Sequence, residues 1–241
     1  MSPFLQSLIF AFAAAWANIL GGVIVTSHKW ARKSLQYFIA LGSGFMLGTV
    51  FLEMIPESFA LTRSAPALVL LGYLIVHMFE HTFASHLHFG EETHHEELVN
   101  PVVRVSALVG MLVHTFFDGV AIGAGFVISP SVGLLIFLAV FLHKIPDGFT
   151  ISSIVISSGQ SNSRALAAAT ALGVSTLIGV VVVHLAGDSV SYALPISTGS
   201  TLYVAATDLM PEVNREKGVK MAVVVFAGMG LFLLVRLIAH F

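Results

Sequence analysis

Residues 102–157 read VVRVSALVGMLVHTFFDGVAIGAGFVISPSVGLLIFLAVFLHKIPDGFTISSIVIS. Two apolar runs meet at Pro130, and each is longer than the roughly 20 residues that an α-helix needs to cross a bilayer. Each also carries polar residues in its middle: His114-Thr-Phe-Phe-Asp118-Gly119 in the first, and His143-Lys-Ile-Pro-Asp147-Gly148 in the second, at a constant offset of 29. On a helix, positions i and i+4 share a face with Cβ atoms about 5–6 Å apart. His114 with Asp118, and His143 with Asp147, can therefore each address one ion. A carboxylate at mid-bilayer costs at least about 2–3 kcal/mol, so two of them beside two imidazoles require a reason, and a divalent cation supplies one.

The rest of the chain is of the same kind. Of 241 residues, 56% are hydrophobic and 10% charged, with a mean hydropathy of +0.92, which excludes an ordinary soluble domain. The 11 Lys and Arg against 13 Asp and Glu form no basic patch able to grip a nucleic-acid backbone. With no Cys, thiolate metal sites, disulfides and Cys nucleophiles are excluded, and a metal must be held by His, carboxylate or Met. Charged or Pro/Gly/Ser-rich breaks divide the sequence into eight runs, at 4–26, 35–56, 66–87, 102–127, 131–157, 165–186, 190–210 and 218–239. The first lacks a basic leader and a small-residue cleavage site, so it is expected to span rather than to be removed. The expectation is an all-α polytopic membrane protein with one transmembrane transport domain over 1–241. The sizeable polar connection is a His-rich loop at 88–101.

Lys and Arg gather in cytoplasmic loops. Lys29, Arg32, Lys33, Arg104, Arg164, Arg215, Lys217 and Lys220 all fall in odd-numbered connections, against Arg63 and Arg236 on the other side. Both termini are thus expected outside. Leu41–Glu57 (LGSGFMLGTVFLEMIPE) and Ile196–Glu212 (ISTGSTLYVAATDLMPE) match at an offset of 155, through Gly44/Gly199, Leu47/Leu202, Glu53/Asp208, Pro56/Pro211 and Glu57/Glu212. Spans 2 and 7 run in opposite directions, as do 4 and 5. This gives an inverted-topology repeat, spans 1–3 against 6–8 with 4 and 5 as the central pair, the arrangement of secondary transporters that bind substrate near the midplane.

Imidazole nitrogen and carboxylate oxygen suit zinc and, with less preference, iron, manganese or cadmium. The competing reading of the motif is a polar cluster in which the two Asp pair with Lys144 and only hold helices together. Pro146 removes a backbone hydrogen bond beside the site, and Gly119 and Gly148 allow close packing or a break.

The paired motifs HTFFDG and HKIPDG resemble those of the ZIP family (Zrt-, Irt-like proteins), of prokaryotic type, over essentially the whole chain. The resemblance implies eight spans, external termini, a His-rich cytoplasmic loop and a transport site of His114, Asp118, His143 and Asp147, with Met46 of span 2 as a soft fifth ligand. It implies a zinc-preferring transporter that moves metal inward by sliding spans 1, 4, 5 and 6 against 2, 3, 7 and 8, with a homodimer as the plausible assembly and zinc as substrate rather than cofactor. Two-metal members place polar or acidic side chains directly after each first ligand, whereas this chain has Thr115 and Lys144. Lys144 is therefore expected to substitute for a second ion. Glu53 and Glu57 at one mouth, and Asp208 and Glu212 at the other, are candidate pathway groups, with interfacial hydration as their alternative. His77, Glu80 and His81 are a candidate waystation or a packed polar stripe; His86, His88, His94 and His95 are candidate loop ligands or solvated loop. His184 and Arg236 are expected to snorkel at helix ends. An intramembrane zinc hydrolase is the main rival, but it needs an open coordination position and a general base, and His-Glu-x-x-His is absent from the sequence. The chain is therefore not expected to be an enzyme. A bacterial inner membrane is the expected location.

Overall fold

The computed structural model describes residues 1–27, 32–83, 101–187, 190–215 and 219–239. Within them it forms eight helices and no strand: α1 (Pro3–Ser27), α2 (32–61), α3 (Ala65–Phe83), α4 (Pro101–Ile128), α5 (Pro130–Ser157), α6 (Asn162–Leu185), α7 (190–215) and α8 (Val219–Ala239). Six helices, α1, α2, α4, α5, α6 and α8, are long and apolar enough to cross a membrane, and α3 contains a shorter apolar stretch, Ala65–Phe79. The polytopic all-α class follows. Side chains satisfy the ends where the chain turns: Ser129 accepts from Val132 N–H at 3.2 Å and Ser161 from Arg164 N–H at 3.4 Å, each capping the helix it precedes.

The sequence ended spans 2 and 7 at their Pro-Glu pairs, and the structure corrects this. Both helices pass through a π turn, Val50–Met54 in α2 and Val204–Leu209 in α7, and resume as Ile55–Leu61 and Met210–Arg215. The Ile55 N–H reaches back five residues to the Val50 carbonyl, and the Met210 N–H likewise to Ala205, two bonds separated by the same 155 positions as the sequence match. Pro56 and Pro211 then occupy the second position of a fresh α-helical turn. A missing N–H is tolerated there because that group has no partner in the turn before it. α5 runs unbroken through Pro146.

The helices pack as one group of four and two pairs. α1, α4, α5 and α6 meet chiefly one another, as do α2 with α8 and α3 with α7. Glycine makes the closest crossings. A Cβ at Gly148 would lie 1.8 Å from the Asn18 carbonyl oxygen, and one at Gly119 1.9 Å from that of Thr176. The same close approach occurs where Gly44 meets Val225 and where Gly199 meets Val69, each at 1.9 Å from a carbonyl oxygen. Only residues without a Cβ allow backbones this near, which is how membrane helices gain dispersion contact without a hydrophobic drive. Between the groups, Gly42 on α2 faces the Leu142 carbonyl of α5 at an ordinary 3.5 Å.

Candidate metal centre

α4 and α5 cross with their polar residues facing. His114, Asp118, His143 and Asp147 are all buried, and one ligand atom from each lies within 4.8 Å of the other three. The His114 Nε2 is 3.1 Å from Asp118 Oδ2 and 3.6 Å from Asp147 Oδ2, while His143 Nε2 is 3.3 and 3.8 Å from the same two oxygens. The i, i+4 spacing thus brings each pair together, and helix crossing brings the two pairs together. Nε2 of both rings and one oxygen of both carboxylates point at a common volume. This is a donor set of two imidazole nitrogens and two carboxylate oxygens, a borderline-to-hard set that fits zinc.

The two imidazoles are held differently. His143 Nδ1 donates to the Ala139 carbonyl at 2.9 Å. A carbonyl can only accept, so Nδ1 is a donor; Nε2 in turn lies in hydrogen-bond contact with Asp118 Oδ2 at 3.3 Å, and the ring would present its Nε2 lone pair to an ion in the tautomer that the Ala139 carbonyl favours. His114 Nδ1 and Asp118 Oδ1 are both buried without a hydrogen-bond partner. Such orphaned polar atoms are uncommon in folded proteins outside functional sites.

Lys144 has no solvent exposure. Its Nζ donates to Asp118 Oδ2 and lies 3.4 Å from Asp147 Oδ2. The ammonium therefore sits against both carboxylates, a placement that the substitute-cation reading and the helix-holding polar cluster both require. Thr115, the neighbour of His114, is buried with its hydroxyl donating back to Leu112 at 3.1 Å. Met46 is fully buried in an apolar cluster with Leu135 and Ala139.

The outlying candidates are not gathered here. Glu57 and Asp208 are half-buried on α2 and α7, Asp208 accepting from Thr207 at 3.3 Å. His77 on α3 packs its ring 5.9 Å from Tyr203. The side chains of Glu80, His81 and Glu212, and all of His86, His88, His94 and His95, lie outside the described residues. Arg236, expected to snorkel, instead donates through Nε to Glu53 at 2.9 Å. Neither spacing nor periodicity signals that pair, which spans 183 positions. Sequence reasoning also passed over Asn18, a buried amide on α1 whose Nδ2 and Oδ1 both lack partners; a lone Asn in the apolar run 4–26 was the available clue.

A sequence profile of the family described as ZIP zinc transporter matches residues 98–236, more than half the chain and both central motifs. The chain belongs to the ZIP zinc transporter family. Among curated proteins it is similar to zinc transporter ZIP9-B of Xenopus laevis, at 24% identity over 89% of this chain and 87% of that protein. It is also similar to zinc transporter ZIP13 of Pongo abelii, at 28% over 78% of this chain and 60% of that one. Zinc transporter SLC39A7 of Canis lupus familiaris is 32% identical over 60% of this chain, covering 34% of its own length. Membership in a transporter family sets the hydrolase reading aside: in ZIP proteins the metal is cargo.

Proposed function

We propose that this ZIP protein carries zinc across a cell membrane into the cytoplasm, binding it at His114, Asp118, His143 and Asp147. The convergence of four buried ligand atoms within 4.8 Å carries the reading. Met46 is proposed as a soft fifth contact that extends the range to cadmium, with iron and manganese as further cargo. The whole chain acts as one transmembrane domain of eight spans with both termini outside. We place it in a bacterial inner membrane, as a homodimer that uses the sparsely buried α8.

The inverted repeat is part of this proposal, and its support lies in the crossings. Gly119 and Gly148 are 29 apart, and they meet Thr176 and Asn18, which are 158 apart; Gly44 and Gly199 are 155 apart, and they meet Val225 and Val69, 156 apart. Related positions thus make the same contact in α1–α5 and α6–α4, and in α2–α8 and α7–α3. The packing groups support sliding of α1, α4, α5 and α6 against the other four helices. Candidate waystations at Glu57, Asp208, Glu212, His77, Glu80 and His81, and the loop histidines 86, 88, 94 and 95, complete the proposed route.

One ion per site is proposed. Two carboxylates and Lys144 sum to one net negative charge with neutral imidazoles, so one divalent ion leaves the cluster at plus one, and a second would leave it at plus three. Two like unit charges 4 Å apart cost about 4 kcal/mol even at an effective dielectric of 20. Anomalous scattering that shows two fully occupied ions within about 4 Å would reject this. Transport itself is tested by radiolabelled zinc uptake in His143→Ala and Asp147→Ala, which should both lose it; unchanged uptake in both would sink the site assignment.

A further inference from the structure

Glu53 is a buried carboxylate 3% exposed, whereas its partner Arg236 is 40% exposed. Glu53 stands in the π turn of α2, seven residues and about 10 Å beyond Met46 along the same helix. Arg236 lies in the last turn of α8, and its guanidinium bridges the two helices at 2.9 Å. The difference in exposure decides which partner can leave. Burial fixes the carboxylate, while a long, weakly hydrated guanidinium at a helix end can swing to the membrane interface at little cost. The pair therefore repeats in exchangeable form what Lys144 does at the centre: a side-chain cation lies against a buried carboxylate.

We propose that Arg236 is the resident counter-cation of Glu53 and is displaced by the metal ion passing toward the central site, so that Arg236 sets the apparent affinity of uptake. This rests on the reading of α2 as one wall of the pathway with its Pro56 end outward. A divalent ion at the same distance from Glu53 has twice the Coulomb attraction of the guanidinium, and a monovalent ion has no such advantage. The exchange thus favours divalent over monovalent cations before the four-ligand centre is reached. The competing role is a brace, in which the pair only ties α2 to α8.

Surface-normalised, concentration-dependent uptake of radiolabelled zinc by cells expressing the full chain separates the two. Arg236→Gln removes the competitor. Apparent KM should fall by up to about fivefold, the range spanned when a partly exposed ion pair stops competing, and the maximal rate should fall as Glu53 retains the ion. Arg236→Lys keeps the charge and should return KM toward wild type. Glu53→Gln should raise KM, and in that background Arg236→Gln should have no further effect. An unchanged KM in Arg236→Gln with less protein at the surface, restored by adding Glu53→Gln, would establish the brace and overturn the proposal. If Arg236→Gln does not reach the membrane, Glu53→Gln decides alone, since an unchanged KM there overturns the exchange. Asp147→Asn is the independent control: wild-type uptake in it defeats the central site, whereas its loss beside an unmoved KM in Glu53→Gln defeats only the exchange.

Discussion

Lys144→Met should turn the transported metal into a structural requirement. Methionine preserves much of the volume but removes the ammonium that touches Asp118 and lies 3.4 Å from Asp147. Without metal, two buried carboxylates then face one another uncompensated, and breaking a buried ion pair from one side typically costs about 3–5 kcal/mol. For a chain of 150–250 residues each kcal/mol moves Tm by roughly 2–4 °C, so the variant in chelator should melt about 6–20 °C below wild type. Zinc bound to the folded state adds stability by mass action, about 2.7 kcal/mol at a hundredfold excess over Kd. With the repelling ammonium gone it should bind tighter to the variant, so zinc should recover much of the loss. The assay is detergent-solubilised protein followed by intrinsic fluorescence against temperature, with chelator and with graded zinc. A chelator Tm equal to wild type, or the same zinc-induced shift in both proteins, would refute the charge reasoning.

Gly148→Val should abolish accumulation of folded protein, because its Cβ would lie 1.8 Å from the Asn18 carbonyl oxygen, whereas Gly230→Ala, with nothing within 4 Å of its Cβ, should accumulate as wild type on an immunoblot. Lowering external pH from about 7.5 to 5.5 should weaken zinc binding, because protons compete with the metal for the ligand imidazole nitrogens, which must be proton-free to coordinate. The sign is checked by equilibrium dialysis: affinity rises with pH through that window, and a flat profile would exclude His114 and His143 as ligands. Met46→Leu keeps volume at a stability cost below about 1.5 kcal/mol but removes the thioether, so cadmium uptake should fall more than zinc uptake in a paired isotope assay.

Much of this was readable because it is periodic or polar. Apolar runs of bilayer length gave eight helices within a few residues at most ends, and the i, i+4 pairs at His114 and His143 pointed to a shared centre before any packing was visible. What escaped depended on a third dimension. A proline normally ends a helix, so Pro56 and Pro211 suggested termini; only the five-residue bonds at Ile55 and Met210 reveal why each helix continues. Arg236 looked like a cation reaching for water because its partner lies on a helix far away in sequence. The partnerless amide of Asn18 is visible only once α1 lies against Gly148.

The glycine crossings also say where substitution is forbidden. The backbone-on-backbone approaches fall inside the four-helix group or inside one of the two pairs, and at Gly42, which faces Leu142 across the seam, a Cβ would keep an ordinary 3.5 Å from the carbonyl oxygen. Irreplaceable positions thus mark one stiff group of four helices and two stiff pairs, and the boundaries between them are upholstered in side chains that can be exchanged. A saturation scan scored only for protein abundance would trace the outline of these three bodies, leaving the seams as bands of tolerance, without transport being measured at all.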